Sequence, residues 1–142
     1  MDRVSPSVRS ATMSRIRGRG NRSTERALRL ALVRASLSGW RLHPSDIAGR
    51  PDFWFAAAKL AVFVDGCFWH CCKQCQIPFP ASNRSYWAPK LTRNKRRDRT
   101  VTRNLRASGV QVLRMWEHEL KTCDAQYHAV KRIAALLNQL GF

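Results

Sequence analysis

Residues 60–64 read Leu-Ala-Val-Phe-Val, an apolar run without a break, followed at once by Asp65 and Gly66. A strand with one buried face alternates apolar and polar residues. A strand apolar at every position is covered on both faces. The chain must therefore bring helices to two sides of a sheet, and its periodicity offers three. Residues 24–38 carry Leu28, Ala31, Leu32 and Ala35 at i, i+3, i+4, i+7, with Thr24 as the expected cap and Gly39 as the stop. Residues 89–108 read as a helix with Pro89 in its first turn and Gly109 past its end. Residues 125–140 place Val130, Ile133, Ala134, Leu137 and Leu140 on one face behind an expected Asp124 cap. Strands at 51–55 and 110–116 complete the order α-β-β-α-β-α, with Pro44 and Gly49 bounding one loop and 66–88 forming another. The predicted class is α/β, a small central mixed sheet flanked by helices.

Charge sets the partner. The 142 residues, one domain's worth, hold 26 Lys and Arg against 9 Asp and Glu, a net charge of +17. Such an excess calls for a polyanion, nucleic acid before an anionic membrane surface, since no long amphipathic basic helix with an aromatic face is present. Hydrophobic residues at 44% exclude a basic disordered tail. No apolar run approaches the ~18 residues of a membrane span. The opening MDRVSPSVRS has no apolar stretch behind its charges, so a cytoplasmic location without a secretory signal is expected. Residues 1–22 set six arginines against Asp2 and are loosened by Gly18 and Gly20. They read as a basic arm that orders on its partner, ahead of a single domain over 23–142.

Four of the five cysteines (Cys67, Cys71, Cys72, Cys75) fall within nine residues. In a reducing compartment a disulfide framework is disfavoured, and thiolates so closely spaced on one loop can converge on a tetrahedral Zn²⁺. Redox chemistry at the CxxC pair Cys72/Cys75 lacks a thioredoxin-like βαβ setting.

With so few acids, their positions are informative. Helix 89–108 holds eight basic residues and one acid, Asp98, which is in phase with the apolar stripe Leu91, Val101, Leu105 and so faces inward. Asp52 follows Pro51 at the start of one strand and Asp65 ends the next, His70 follows on the attached loop, and Glu25 opens the first helix. Several carboxylates and a His in a basic protein suit Mg²⁺ binding and phosphodiester hydrolysis: oxygen ligands hold the ion and a base activates water. Pro-Asp, twelve intervening residues and a second acid resemble the PD-(D/E)xK nuclease core. The core's Lys is absent, because position 67 is Cys, and His70 is the natural substitute.

The segments Met13-Ser-Arg-Ile-Arg-Gly18, Gly49-Arg-Pro-Asp-Phe53, Val62-Phe-Val-Asp-Gly-Cys-Phe-Trp-His70, Tyr86-Trp87 and Val112-Leu-Arg-Met-Trp-Glu117, in that order, resemble the bacterial very-short-patch repair endonucleases from about residue 8 to 140. The resemblance implies a restriction-endonuclease-like fold with a zinc-pinned loop. It implies nicking 5′ to the T of a T:G mismatch in double-stranded DNA, the lesion left by deaminated 5-methylcytosine. It further implies catalytic Asp52, His70, Asp98 and Glu25, with Asp65 in a less secure role. Mg²⁺ would sit on Asp52 and the backbone carbonyl of Val64, and a structural Zn²⁺ on Cys67, Cys72, Cys75 and His118, with Cys71 able to replace Cys72. Cys123 is left as a helix-capping or buried thiol. Met13, Arg15, Arg17, Phe68, Trp69, Trp87, Lys95 and Arg96 are expected at the DNA, with Phe68 and Trp69 wedged beside the mismatch. The chain is expected to act as a monomer, with a MutL-like repair protein as a candidate partner. Two alternatives stand beside this reading: a related restriction-like endonuclease with another DNA target, and a zinc-stabilised DNA-binding module without catalysis.

Overall fold

The apolar run becomes an inner strand. In the computed structural model, which describes residues 24–68, 72–75 and 84–141, a four-stranded sheet is built from β1 (Trp40–Leu42), β2 (Phe53–Phe55), β3 (Leu60–Asp65) and β4 (Gln111–Trp116). They lie in the order β1-β2-β3-β4. β1 and β2 are antiparallel, as are β2 and β3, whereas β3 and β4 run parallel. A parallel neighbour demands a long crossover, and α2 (Arg84–Ala107) supplies it. Helix α1 covers residues 24–34, and α3 (Cys123–Gln139) follows a single 3-10 turn at Glu117–Leu120.

Strand alternation sorts the side chains into two cores. Phe53, Phe55, Leu60, Val62, Val64 and Met115 face α1 and α3, where they meet Leu28, Leu32, Ile133 and Leu137. Trp54, Ala61, Phe63 and Leu105 pack on the other face, together with Val101 and Val112. Both faces of β3 are thus buried, as its composition requires. Phe53, Leu60, Val62 and Met115 are fully enclosed, and each contributes roughly 1.5–3 kcal/mol by leaving water. The same alternation puts Asp65, which ends β3, and Arg114, inside β4, on the α2 face of the sheet, so the two polar groups gather under a basic helix.

Several boundaries differ from the sequence expectations. α1 stops at 34, not 38: Ser36 takes a left-handed φ of 59° and Leu37 N–H donates to Leu32 O at 3.0 Å, a Schellman stop that Gly39 does not provide. Strand β1 occupies residues to which the sequence assigns no element. α2 begins five residues before Pro89, which lies inside the helix. Burial of Trp87 and Leu91, one turn apart and packed with Phe68, outweighs the backbone bond that Pro89 cannot make. The cap of α3 is Thr122, whose hydroxyl accepts from Ala125 N–H at 3.0 Å; Asp124 lies in the first turn instead. Cys123 is exposed rather than capping or buried. The arm at 1–22, with Met13, Arg15 and Arg17, lies outside the described residues, as do Trp69, His70 and Cys71.

Candidate active site and metal cluster

Asp52 stands one residue before β2, and the antiparallel pairing of Phe53 with Val62 carries it alongside the end of β3. Its Oδ2 accepts a hydrogen bond from Val64 N–H at 2.6 Å. The carboxylate is set in a cleft of about 530 Å³ that also takes Asp65, Asp98, Gly49, Arg50, Arg97 and Arg114. Burial pushes the Asp52 carboxyl up to about 6, against the pull of the Val64 amide; Glu25 and Asp65 add to the rise and His43 opposes it. A carboxyl whose ionised form is this costly stands ready to accept a cation.

Asp65 is 6% exposed and is held by Arg114. The Arg114 Nη1 donates to both carboxylate oxygens, at 2.9 and 3.2 Å, and its Nε donates to Thr102 Oγ1 at 2.8 Å. The same guanidinium donates to the Asp98 carbonyl at 3.4 Å and lies 4.2 Å from the Phe63 ring centroid. One arginine therefore ties β3 and β4 to the middle of α2 and fixes the cleft's width. Gly49 forms part of the wall with φ +78°, and a Cβ there would run into Val101 of α2.

The first-helix acid reaches the same region. Glu25 Oε1 lies 2.7 Å from His43 Nε2, and His43 Nδ1 lies 3.8 Å from Asp52 Oδ1. Glu25, His43 and Asp52 present ligand atoms within 4.8 Å of one another, an arrangement able to hold a metal ion. His43 had no assigned part in the sequence reading; a lone His after Leu42 carries no local signal, and only the β1–β2 pairing reveals it.

On the outer side of the cleft, Lys95, Arg99, Arg103 and Arg106 of α2 line a groove that shares Asp65, Asp98 and Arg114 with it. Arg96 is exposed on the same helix. Beyond the other end of the cleft, Arg97 joins Lys90 and Arg93. The acids thus sit in the middle of a basic surface. Trp87 does not contribute to that surface: it is 1% exposed and meets Phe68 edge-on at 5.4 Å, so in this structure it is a core residue.

A second cluster forms where parallel β3 and β4 end side by side. Cys67 lies just past β3, and His118 lies in the 3-10 turn after β4, so strands adjacent in space join residues far apart in sequence. His118 Nδ1 is 3.4 Å from Cys67 Sγ, 3.7 Å from Cys72 Sγ and 3.3 Å from Cys75 Sγ. The four ligand atoms lie within 4.8 Å of one another, and Cys67 and Cys72 are buried. Three thiols and an imidazole at this separation are a donor set for a tetrahedral metal.

The sequence model described as DNA mismatch endonuclease Vsr matches residues 1–76. The chain belongs to the Vsr family. It is similar to the type II nicking enzyme V.XorIIP of Xanthomonas oryzae pv. oryzae, 38% identical over 87% of this chain and 90% of that protein. It is 33% identical to the DNA mismatch endonuclease Vsr of Escherichia coli over 78% of this chain and 72% of that protein. A 54% identity to the type II nicking enzyme V.NaeI of Lentzea aerocolonigenes covers 49% of this chain and 42% of that longer protein. Membership of this family makes the chain an endonuclease that acts on DNA. Among the described residues, no helix is long and apolar enough to cross a membrane.

Proposed function

We propose that this Vsr-family chain is a Mg²⁺-dependent endonuclease that nicks double-stranded DNA 5′ to the T of a T:G mismatch and so initiates very-short-patch repair of deaminated 5-methylcytosine. The observation that carries the reading is the cleft in which Asp52, Asp65 and Asp98 meet at the centre of an arginine-lined surface. Phosphate contacts supply affinity, and a carboxylate-lined cleft among them would cost affinity unless it served chemistry. The relative named a DNA mismatch endonuclease supports the same conclusion.

Asp52 and the Val64 carbonyl are the groups that would hold Mg²⁺, which when bound supplies charge neutralisation at the phosphate. Asp52 is already oriented for this by the Val64 amide on its second oxygen. His70 takes the proton of the attacking water; the water oxygen bonds to phosphorus as the P–O3′ bond breaks, and the departing O3′ takes a proton from solvent water to leave a 3′-hydroxyl. Asp98 assists from α2, and Arg114 keeps Asp65 and the α2 backbone in register with the strands. Cys67, Cys72, Cys75 and His118 would hold a structural Zn²⁺, which when bound would tie the chain after β3 to the turn after β4. Trp69, with Phe68 and Met13, enters the stack where wobble pairing makes unstacking cheapest. Arg15 and Arg17 of the arm and Lys95 and Arg96 of α2 follow the phosphates. The protein works as a monomer in the bacterial cytoplasm, with a MutL-like protein as a partner of the repair step. The fold is restriction-endonuclease-like, which the antiparallel β1-β2-β3 meander and the parallel β4 after a helical crossover support.

Labelled T:G and T:A duplexes incubated with Mg²⁺ or with EDTA test this reading. Nicking of the T:G duplex in Mg²⁺ is expected. Equal cutting of both duplexes points to an endonuclease with another target, and binding without cutting refutes the enzyme assignment.

A further inference from the structure

We propose that His43 is a positioning residue of the metal centre, bridging Glu25 of α1 to Asp52 of the sheet so that the two carboxylates converge on one divalent cation. The inference rests on the reading of Asp52 as a cation ligand. The β1–β2 ladder pairs Trp40 with Phe55, Arg41 with Trp54 and Leu42 with Phe53. His43 and Asp52 are the next rung, so register alone makes them cross-strand neighbours. At that rung the backbone of His43 turns to a φ of 47°, unusual for a residue with a side chain, and the strand ends. The imidazole then spans the gap: Nε2 is 2.7 Å from Glu25 Oε1 and Nδ1 is 3.8 Å from Asp52 Oδ1.

The spacing suits an ion. Ligands about 2.1–2.4 Å from a hard divalent cation lie no more than roughly 4.8 Å apart, and a Glu25 oxygen and an Asp52 oxygen here fall within 4.8 Å of one another. Glu25 lies at the start of α1, a helix anchored to the sheet by Leu28 and Leu32 further along. Two carboxylates at close range repel, and a Glu at a helix end is otherwise free to turn to water. His43 faces Oδ1, the Asp52 oxygen that Val64 leaves available, and at 3.8 Å stands outside hydrogen-bond range of it. The competing account is a partly exposed ion pair between His43 and Glu25, worth only about 0–1 kcal/mol and indifferent to metal.

Mn²⁺ alone, titrated into the zinc-replete full-length protein without DNA and read by electron paramagnetic resonance, separates the two. Loss of groups that orient a ligand weakens metal affinity about 10–100-fold. His43→Ala is expected to weaken Mn²⁺ binding at least about tenfold, and His43→Asn, which tolerates the left-handed backbone, to do the same while keeping the wild-type melting temperature. In a Glu25→Gln background, His43→Ala should add less than about a further twofold, because the bridge has already lost its far end. Wild-type Mn²⁺ affinity in either His43 variant, with or without a lowered melting temperature, overturns the proposal. So do full additivity with Glu25→Gln and a wild-type protein that binds no Mn²⁺. Absence of nicking with the Mn²⁺ pattern intact counts against the proposed function alone.

Discussion

Replacing Asp52 by Asn should stabilise the Mg²⁺-free protein at neutral pH and leave it almost unchanged in acid. Asp52 moves from 3.8 when unfolded to about 6 when folded, chiefly because it is buried. Between those values the native state keeps a proton that the unfolded chain has released, so stability falls as pH rises through the interval and the full penalty applies above about 6. At 1.36 kcal/mol per pKa unit this amounts to roughly 3 kcal/mol, and the residual exposure of the side chain reduces it to about 2. Asn keeps an acceptor for the Val64 amide and carries no charge to desolvate. Urea unfolding of both proteins, zinc-replete and without Mg²⁺, should show Asp52→Asn ahead by about 2 kcal/mol at pH 7.5 and by about 0.5 kcal/mol or less at pH 4. Added Mg²⁺ should stabilise the wild type and not the variant, closing the gap. A gap that does not change with pH, or an Asn variant less stable at pH 7.5, would refute the claim that burial strains this carboxylate.

Three further outcomes follow from the same geometry. Elemental analysis should find one zinc per chain, lost in His118→Ala together with much of the loop's order; a zinc-free wild type would contradict the Cys₃His assignment. Arg114→Leu should cost about 3–5 kcal/mol in denaturant titration by leaving Asp65 buried without its cation, and Asp65→Leu added to it should recover a large part; a silent Arg114→Leu would show that the pair is dispensable. Trp87→Ala should cost about 3–5 kcal/mol of stability, as expected of a core ring, and a variant as stable as wild type but impaired on DNA would restore Trp87 to the interface.

What the sequence revealed and what it hid divide along physical lines. Strand β3 was legible because five apolar residues in succession leave a strand no exposed face. The gathering of Asp52, Asp65 and Asp98 was legible because strand alternation and helix phase are local rules that hold in the folded protein. β1 was not legible: Trp40-Arg41-Leu42 lies between Gly39 and Pro44, and only pairing with β2 makes it a strand. His43 was hidden for the same reason, since its meaning is a cross-strand register and a helix end 18 residues away. Arg114 carried a usable signal, a cation inside Val-Leu-Arg-Met-Trp, which in a buried strand demands a carboxylate. The early start of α2 was missed because Pro89 reads as a beginning, whereas the Trp87–Leu91 packing that extends the helix is tertiary. The Cys₃His cluster needed both kinds of information: the cysteines announce themselves, while His118 joins them only because β3 and β4 run parallel.

Asp52 is the residue at which hydrolysis is proposed to occur. The most direct test is Asp52→Ala assayed on one T:G duplex for both nicking in Mg²⁺ and equilibrium binding. Binding rests on the arginines around the cleft, so it should stay within about tenfold of wild type while nicking disappears. Nicking at the wild-type rate would remove the cleft from the mechanism.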